Sequence, residues 1–195
     1  MAKDSTGSAD RIFRFNGCSN HSKTEREVHD LYVTDPPAVE ALLGVETFSR
    51  RVWECAVGLG HISGVLKAHG HDVLETDLID RMGNEVSDFL TDCRDWDGDI
   101  ITNPPYAKAL EFVRHSLDVL HDGRKAAMLL KITFLEGMKR RKLFDECPPK
   151  KVWVFSKRLF CPKSGDYEHH GRSAMCFAWF VWEKGYKGKT EVGWI

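Results

Sequence analysis

From residue 51 onward, short apolar runs alternate with amphipathic stretches, and this alternation constrains the fold more than any other feature of the chain. Arg51-Val52-Trp53-Glu54-Cys55 is an apolar strand running into the glycine turn Val57-Gly58-Leu59-Gly60. Ile62 to His69 reads as an amphipathic helix ended by Gly70, and Asp72 to Thr76 as the next strand, with Asp77 at its carboxyl end. Asp99 to Thr102 is a further strand, leading into Asn103-Pro104-Pro105-Tyr106. Ala109 to Leu120 carries apolar residues at helical spacing, namely Leu110, Val113, Leu117 and Leu120. Lys125 to Lys131, Lys151 to Phe155 and Met175 to Trp182 complete the set of strands. Strands separated by helices of this length predict βαβ units and an α/β fold with a mostly parallel sheet. The last strands have no helix between them, so an antiparallel hairpin should close the sheet.

Upstream, Tyr32-Val33-Thr34-Asp35-Pro36-Pro37 is an extended entry to a helix over Ala38 to Leu43. Its prolines suit a first helical turn, and Thr34 or Asp35 is the expected cap. Residues 1–28 are polar and without hydrophobic periodicity, which predicts a flexible arm before a single domain over 29–195. At 195 residues, 42% hydrophobic and 29% charged, the chain is sized for one globular core. It contains neither an apolar signal core nor a run long enough to span a bilayer, so a cytoplasmic protein without membrane contact is expected. The six cysteines form no C-x-x-C pair and should be reduced thiols. His69, His71 and Glu168-His169-His170 lack partners at ligand spacing, so no metal is expected.

Charge is distributed unevenly along a chain whose formal net charge is −1. Residues 35–99 hold five basic against fourteen acidic side chains, and residues 131–195 hold fourteen basic against seven acidic. A nearly neutral protein can thus present a phosphate-attracting face. Lys157, Arg158, Lys163 and Arg172 are the expected phosphate contacts.

Two motifs carry chemistry. In Glu54-Cys55-Ala56-Val57-Gly58-Leu59-Gly60, glycine lets the backbone turn tightly and lets a ligand lie against it. Asp77, at the next strand end, is placed to accept hydrogen bonds from both hydroxyls of a ribose. A dinucleotide fingerprint fits less well, because Ser63 stands where the third glycine of G-x-G-x-x-G belongs. In the second motif, Pro104 and Pro105 stiffen the loop. Asn103 offers a side-chain carbonyl and Pro104 a backbone carbonyl, a pair of acceptors suited to an NH₂ group. Tyr106 offers a flat face to a planar ring, with stacking worth roughly 1–3 kcal/mol.

The order Tyr32 to Pro37, Glu54 to Gly60, Asp77, Asp88-Phe89 and Asn103 to Tyr106 resembles the amino-methyltransferases of DNA, and most of all the small N6-adenine methyltransferases of phages and prophages. The likeness spans roughly residues 25 to 195. It implies a Rossmann-like class I methyltransferase domain that uses S-adenosyl-L-methionine and binds DNA with the target adenine flipped out. It implies further that Tyr32, Thr34 and Pro36 touch the methionine end of the cofactor, that Glu54, Ala56, Gly58 and Gly60 line it, and that Asp77 holds its ribose. Asp88 would bind the cofactor's adenine amine, with Phe89 packed on the ring. Asn103, Pro104, Pro105 and Tyr106 would form the catalytic segment. Two features depart from the pattern: Asp35 separates Thr34 from the first proline, and Glu54 stands where Asp is common. No segment is long enough for a separate target-recognition domain.

The adenine amine is a poor nucleophile because its lone pair is delocalised into the ring. Donation of its two N–H groups to Asn103 and to the Pro104 carbonyl would localise that pair for in-line attack on a methyl group, and would strengthen as charge develops. The same acceptors would serve adenine in RNA or a glutamine amide in a protein. An inactive nucleic-acid-binding protein is the remaining alternative.

Overall fold

The computed structural model describes residues 33–159 and 175–195. The arm expected over 1–28, together with Tyr32, Cys18, Cys161, Lys163, Glu168-His169-His170 and Arg172, lies outside those residues. Eight strands form one sheet: β1 (Arg51–Glu54), β2 (Asp72–Asp77), β3 (Glu85–Val86), β4 (Asp99–Thr102), β5 (Lys125–Lys131), β6 (Lys151–Val154), β7 (Phe177–Glu183) and β8 (Glu191–Trp194). The helices are α1 (Pro36–Leu43), α2 (His61–Ala68), α3 (Ala109–Val119) and α4 (Met138–Glu146). Short 3₁₀ turns η1 (Phe89–Thr91), η2 (Tyr106–Lys108) and η3 (Ile132–Leu135) connect them.

The sheet order is β3-β2-β1-β4-β5-β7-β6-β8. Strands β1 to β5 pair in parallel, while β7 lies antiparallel between β5 and β6. The mostly parallel sheet and the antiparallel β6–β7 pair are those expected from the sequence. Beyond them, β8 skips over β6 and joins its free edge in parallel, with Val152 opposite Val192.

Alternate residues of the central strands face opposite ways, which requires cover on both sides. Trp53, Ile100, Met128, Phe180 and Trp182 point to one core, where Phe112, Val113 and Leu117 of α3 and Leu143 of α4 meet them. Val52, Ile101, Leu129, Trp179 and Val181 point to the other, against Val39 and Leu42 of α1 and Ile62 and Leu66 of α2. Buried indoles need their N–H satisfied. Trp179 Nε1 donates to the Ala38 carbonyl at 2.8 Å, fastening β7 to α1, and Trp53 Nε1 donates to Thr76 Oγ1 at 2.9 Å.

Helix α1 starts as its prolines predict, with Asp35 in extended conformation at the cap position. Neither expected cap acts through its side chain: the first turn closes on the Asp35 backbone carbonyl, and the Thr34 hydroxyl is engaged elsewhere. Cys55, Cys93, Cys147 and Cys176 are free thiols. Among the described residues there is no cluster of metal-ligating side chains, and no helix is long and apolar enough to cross a membrane.

Candidate active site

The strand order reverses between β1 and β4, and the carboxyl ends of neighbouring strands at such a switch point open a crevice. The register pairs Val52 with Asp99 and Trp53 with Ile100, so the turn after β1 and the loop after β4 emerge side by side. Between them lies a cavity of about 240 Å³, whose wall includes Thr34, Glu54, Ala56, Gly58, Asp77, Asp88, Phe89, Asn103 and Pro105. Residues drawn from five separate stretches of sequence thus meet in one chamber.

Gly58 (φ 55°) and Gly60 (φ 72°) both take left-handed backbone, which a side chain disfavours, and so turn the chain from β1 into α2. The turn is locked to the next strand end: the Gly58 N–H donates to Asp77 Oδ2 at 2.9 Å. The other Asp77 oxygen accepts from the Ile79 N–H at 3.3 Å and from the Arg81 guanidinium at 3.1 Å. Each carboxylate oxygen has two lone-pair directions, so these contacts fill Oδ1 and leave one direction on Oδ2 open to a ligand hydroxyl.

Glu54 is 1% exposed, and its Oε2 accepts from both the backbone N–H and the hydroxyl of Ser63. Desolvation outweighs those bonds and pushes its carboxyl up to about 8, with the negative charges of Glu75 and Asp77 adding to the effect. Beside it, burial raises the Cys55 thiol further above its ordinary range, which makes it inert. An arriving cation would favour the ionised form of Glu54. A ribose acceptor, a buried acid complementary to positive charge and a glycine wall together fit S-adenosylmethionine, a nucleoside bearing a sulfonium and an ammonium group.

The Asn103 amide donates through Nδ2 to Thr34 Oγ1 at 3.1 Å, which sets the amide plane with its oxygen turned from Thr34. Thr34 is 4% exposed, and its carbonyl is in hydrogen-bond contact with His61 Nδ1 at 3.2 Å. Asp88 caps η1 by accepting from the Leu90 N–H at 3.0 Å and remains exposed at the cavity wall.

Some expected contacts are placed otherwise. Pro36 is exposed at the start of α1 and lies off the cavity wall, because it serves as the rigid first turn of that helix. Gly60 shapes the turn without lining the chamber, and Pro104 is buried behind it. Phe89 reaches the cavity yet is 2% exposed, with its ring against Trp53, Phe112 and His115 at centroid distances of 5.1, 4.9 and 4.8 Å. It therefore presents little more than an edge to a ligand. Tyr106 does not face this chamber. It lines a second cavity, of about 540 Å³, with its ring 5.9 Å from Phe177 and with Lys131 Nζ 4.8 Å over it.

Sequence reasoning missed Arg81, His61, Leu78 and Lys108, which also line the first cavity. Leu78, 58% exposed, carried a legible signal: an apolar residue directly after the strand-end acid, with no core to enter. Arg81 carried none, because its contact with Asp77 depends on a tight turn between them.

No family profile matches the sequence, and no curated protein is similar to it. Solved structures do match in fold. An Agrobacterium tumefaciens protein described as a predicted O-methyltransferase superposes with a TM-score of 0.59 at 11% identity, over 82% of this chain and 85% of that one. A candidate RNA methyltransferase from Pyrococcus horikoshii gives 0.56 at 12%, over 91% and 98%. The S-adenosylmethionine-dependent O-methyltransferase of Thermotoga maritima gives 0.53 at 15%, over 86% and 71%. The chain therefore has the Rossmann-like fold of class I methyltransferases.

Proposed function

We propose that the chain transfers a methyl group from S-adenosylmethionine to the N6 amine of adenine in DNA. One observation carries this reading: Asn103, the first residue of the Asn103–Tyr106 loop, shares a cavity with Gly58 and Asp77, and its amide is oriented by Thr34. Asp77 would hold the ribose, Glu54 would face the cationic end, and Asp88 would accept from the adenine amine of the cofactor. When bound, S-adenosylmethionine supplies an electrophilic methyl group.

The chain's own part is to hold and to polarise. The Asn103 oxygen and the Pro104 carbonyl accept the two N–H groups of the substrate amine, favouring a pyramidal nitrogen with a localised lone pair. The Asn103 amide is held by Thr34 before the reaction, so its oxygen would stabilise developing positive charge without reorganising. Alignment of two bound reactants can lower the barrier by up to roughly 7–11 kcal/mol, which suits a reaction that needs no strong acid or base. Flipping the adenine from the duplex costs a few kcal/mol.

Labelled methyl transfer to duplex DNA, RNA and protein, measured side by side, tests the substrate. Methylation of DNA adenine that vanishes in Asn103→Ala while cofactor affinity is retained is the expected result. Transfer to RNA or to a glutamine amide alone would replace the substrate, and equal activity of Asn103→Ala and the parent would refute the role of the loop.

A further inference from the structure

The second cavity is lined by Tyr106, Leu110, Lys131, Phe134, Met138 and Arg140, among others, and shares no residue with the first. Its rim is the segment that leaves β5 through η3 and enters α4. Met138 stands on that rim 92% exposed, with Leu135 nearby at 45%. The segment is braced rather than loose. Arg140 folds back so that its guanidinium lies 5.0 Å over the Phe134 ring and donates to the Thr133 carbonyl at 2.6 Å, while its own N–H bonds to the Gly137 carbonyl at 3.0 Å. A thioether is thus held out into solvent at the mouth of the cavity that Tyr106 lines.

Charge names the occupant of this surface. Lys139, Arg140, Arg141 and Lys142 follow Met138 without interruption. Of the acids of α4, Asp145 accepts from Arg141 at 2.8 Å, and Glu146 lies 3.7 Å from Lys142 and 3.6 Å from Arg114 of α3, so Lys139, the cation beside Met138, is not engaged by these acids. An exposed apolar tip followed by consecutive cations complements a stack of bases bounded by phosphates.

We infer that Met138 is a wedge that enters the DNA stack beside the flipped adenine, with Lys139 and its neighbours on the adjoining phosphates. The inference rests on the DNA-adenine reading above and adds to it the element that holds the duplex open. Extrusion of a base leaves a gap, and a flexible, polarisable methionine fills irregular space against aromatic rings. Single-stranded DNA has no such gap.

The test compares the parent with Met138→Ala and Met138→Leu on one target sequence, presented as a duplex and as a single strand. Extrusion is read separately by 2-aminopurine fluorescence at the target position of the duplex. Met138→Ala should lower kcat/KM on the duplex about tenfold, leave the single strand within about twofold and weaken the fluorescence rise, and Met138→Leu should restore most of each. Equal losses on both forms, or an unchanged fluorescence rise in Met138→Ala, would overturn the wedge. A parent enzyme that methylates neither DNA form overturns the underlying reading instead, and the two failures are separable because only the second appears without any substitution.

Discussion

Thr34 and Asn103, 69 residues apart in sequence, are joined by a hydrogen bond of 3.1 Å from the amide nitrogen of Asn103 to the hydroxyl of Thr34. An amide has two interchangeable-looking ends, and on the proposed reading this contact decides which one would meet a substrate amine. Thr34→Val keeps the shape and removes the acceptor. It should lower kcat about tenfold, corresponding to one hydrogen bond of about 1.4 kcal/mol, with little change in cofactor affinity. Thr34→Ser should retain most activity. A valine variant as active as the parent would show that the amide is oriented without Thr34.

Asp77 has two tasks, bracing the glycine turn and facing the cavity. Asp77→Ala should weaken cofactor binding by calorimetry and also lower the thermal midpoint of the free protein, since the Gly58 N–H loses its partner. Arg81→Met leaves the turn intact and removes only the guanidinium from Asp77 Oδ1. Its effect should fall on cofactor affinity alone, and an equal drop in the midpoint would assign Arg81 to the scaffold.

Glu54 makes stability depend on pH with a definite sign. Its folded value of about 8 stands above the ordinary 4.5, so between the two the folded state keeps a proton that the unfolded state has lost. Its contribution is therefore fully present at pH below about 4.5 and declines as pH rises towards 8. Glu54→Gln keeps an acceptor for Ser63 and removes the titration. The midpoint of the variant should gain on the parent as pH rises from 5 to about 8.5, as followed by thermal melts. A gap independent of pH would mean that Glu54 is ionised in the folded protein. On the same grounds, binding of the cationic cofactor at neutral pH should release protons, detectable as a dependence of binding enthalpy on buffer.

Gly193 in β8 lies flat against Trp153 of the neighbouring strand: an added Cβ would sit 2.2 Å from the Trp153 ring. The ring is held by its N–H bond to Glu46 at 3.1 Å, so it cannot easily yield. Gly193→Ala should destabilise the protein by about 1–3 kcal/mol in denaturant unfolding. An unchanged midpoint would show that β8 peels away at little cost.

The sequence announces those elements whose side chains alternate between burial and exposure or repeat at helical spacing. Strands β1, β2, β4, β5, β6 and β7 were legible because runs such as Ile100-Ile101 and Phe177 to Trp182 are buried on both faces. Strand β3 was not, since Glu85 and Val86 are both exposed and pair only through the backbone. Helix α4 buries only Leu143 and reads as a solvated charge run. Strand β8 carries a glycine where a pattern would want an apolar residue, and that glycine is what lets Trp153 close upon it. In the site, Gly58, Asp77 and Asn103 were legible because strand ends fix where they go. The union of Thr34 with Asn103 and the turning of Tyr106 towards a different cavity depend on how distant segments pack, which no local spacing encodes.

The partition between the two cavities bears on turnover. On the proposed reading, the flipped adenine meets the cofactor at Asn103 in the first cavity, while the rest of the strand lies against the second, whose lining shares no residue with the first. One compartment can then be emptied and refilled while the other stays occupied, so that an enzyme of this design can exchange its by-product without letting go of the polymer and travel on to the next adenine.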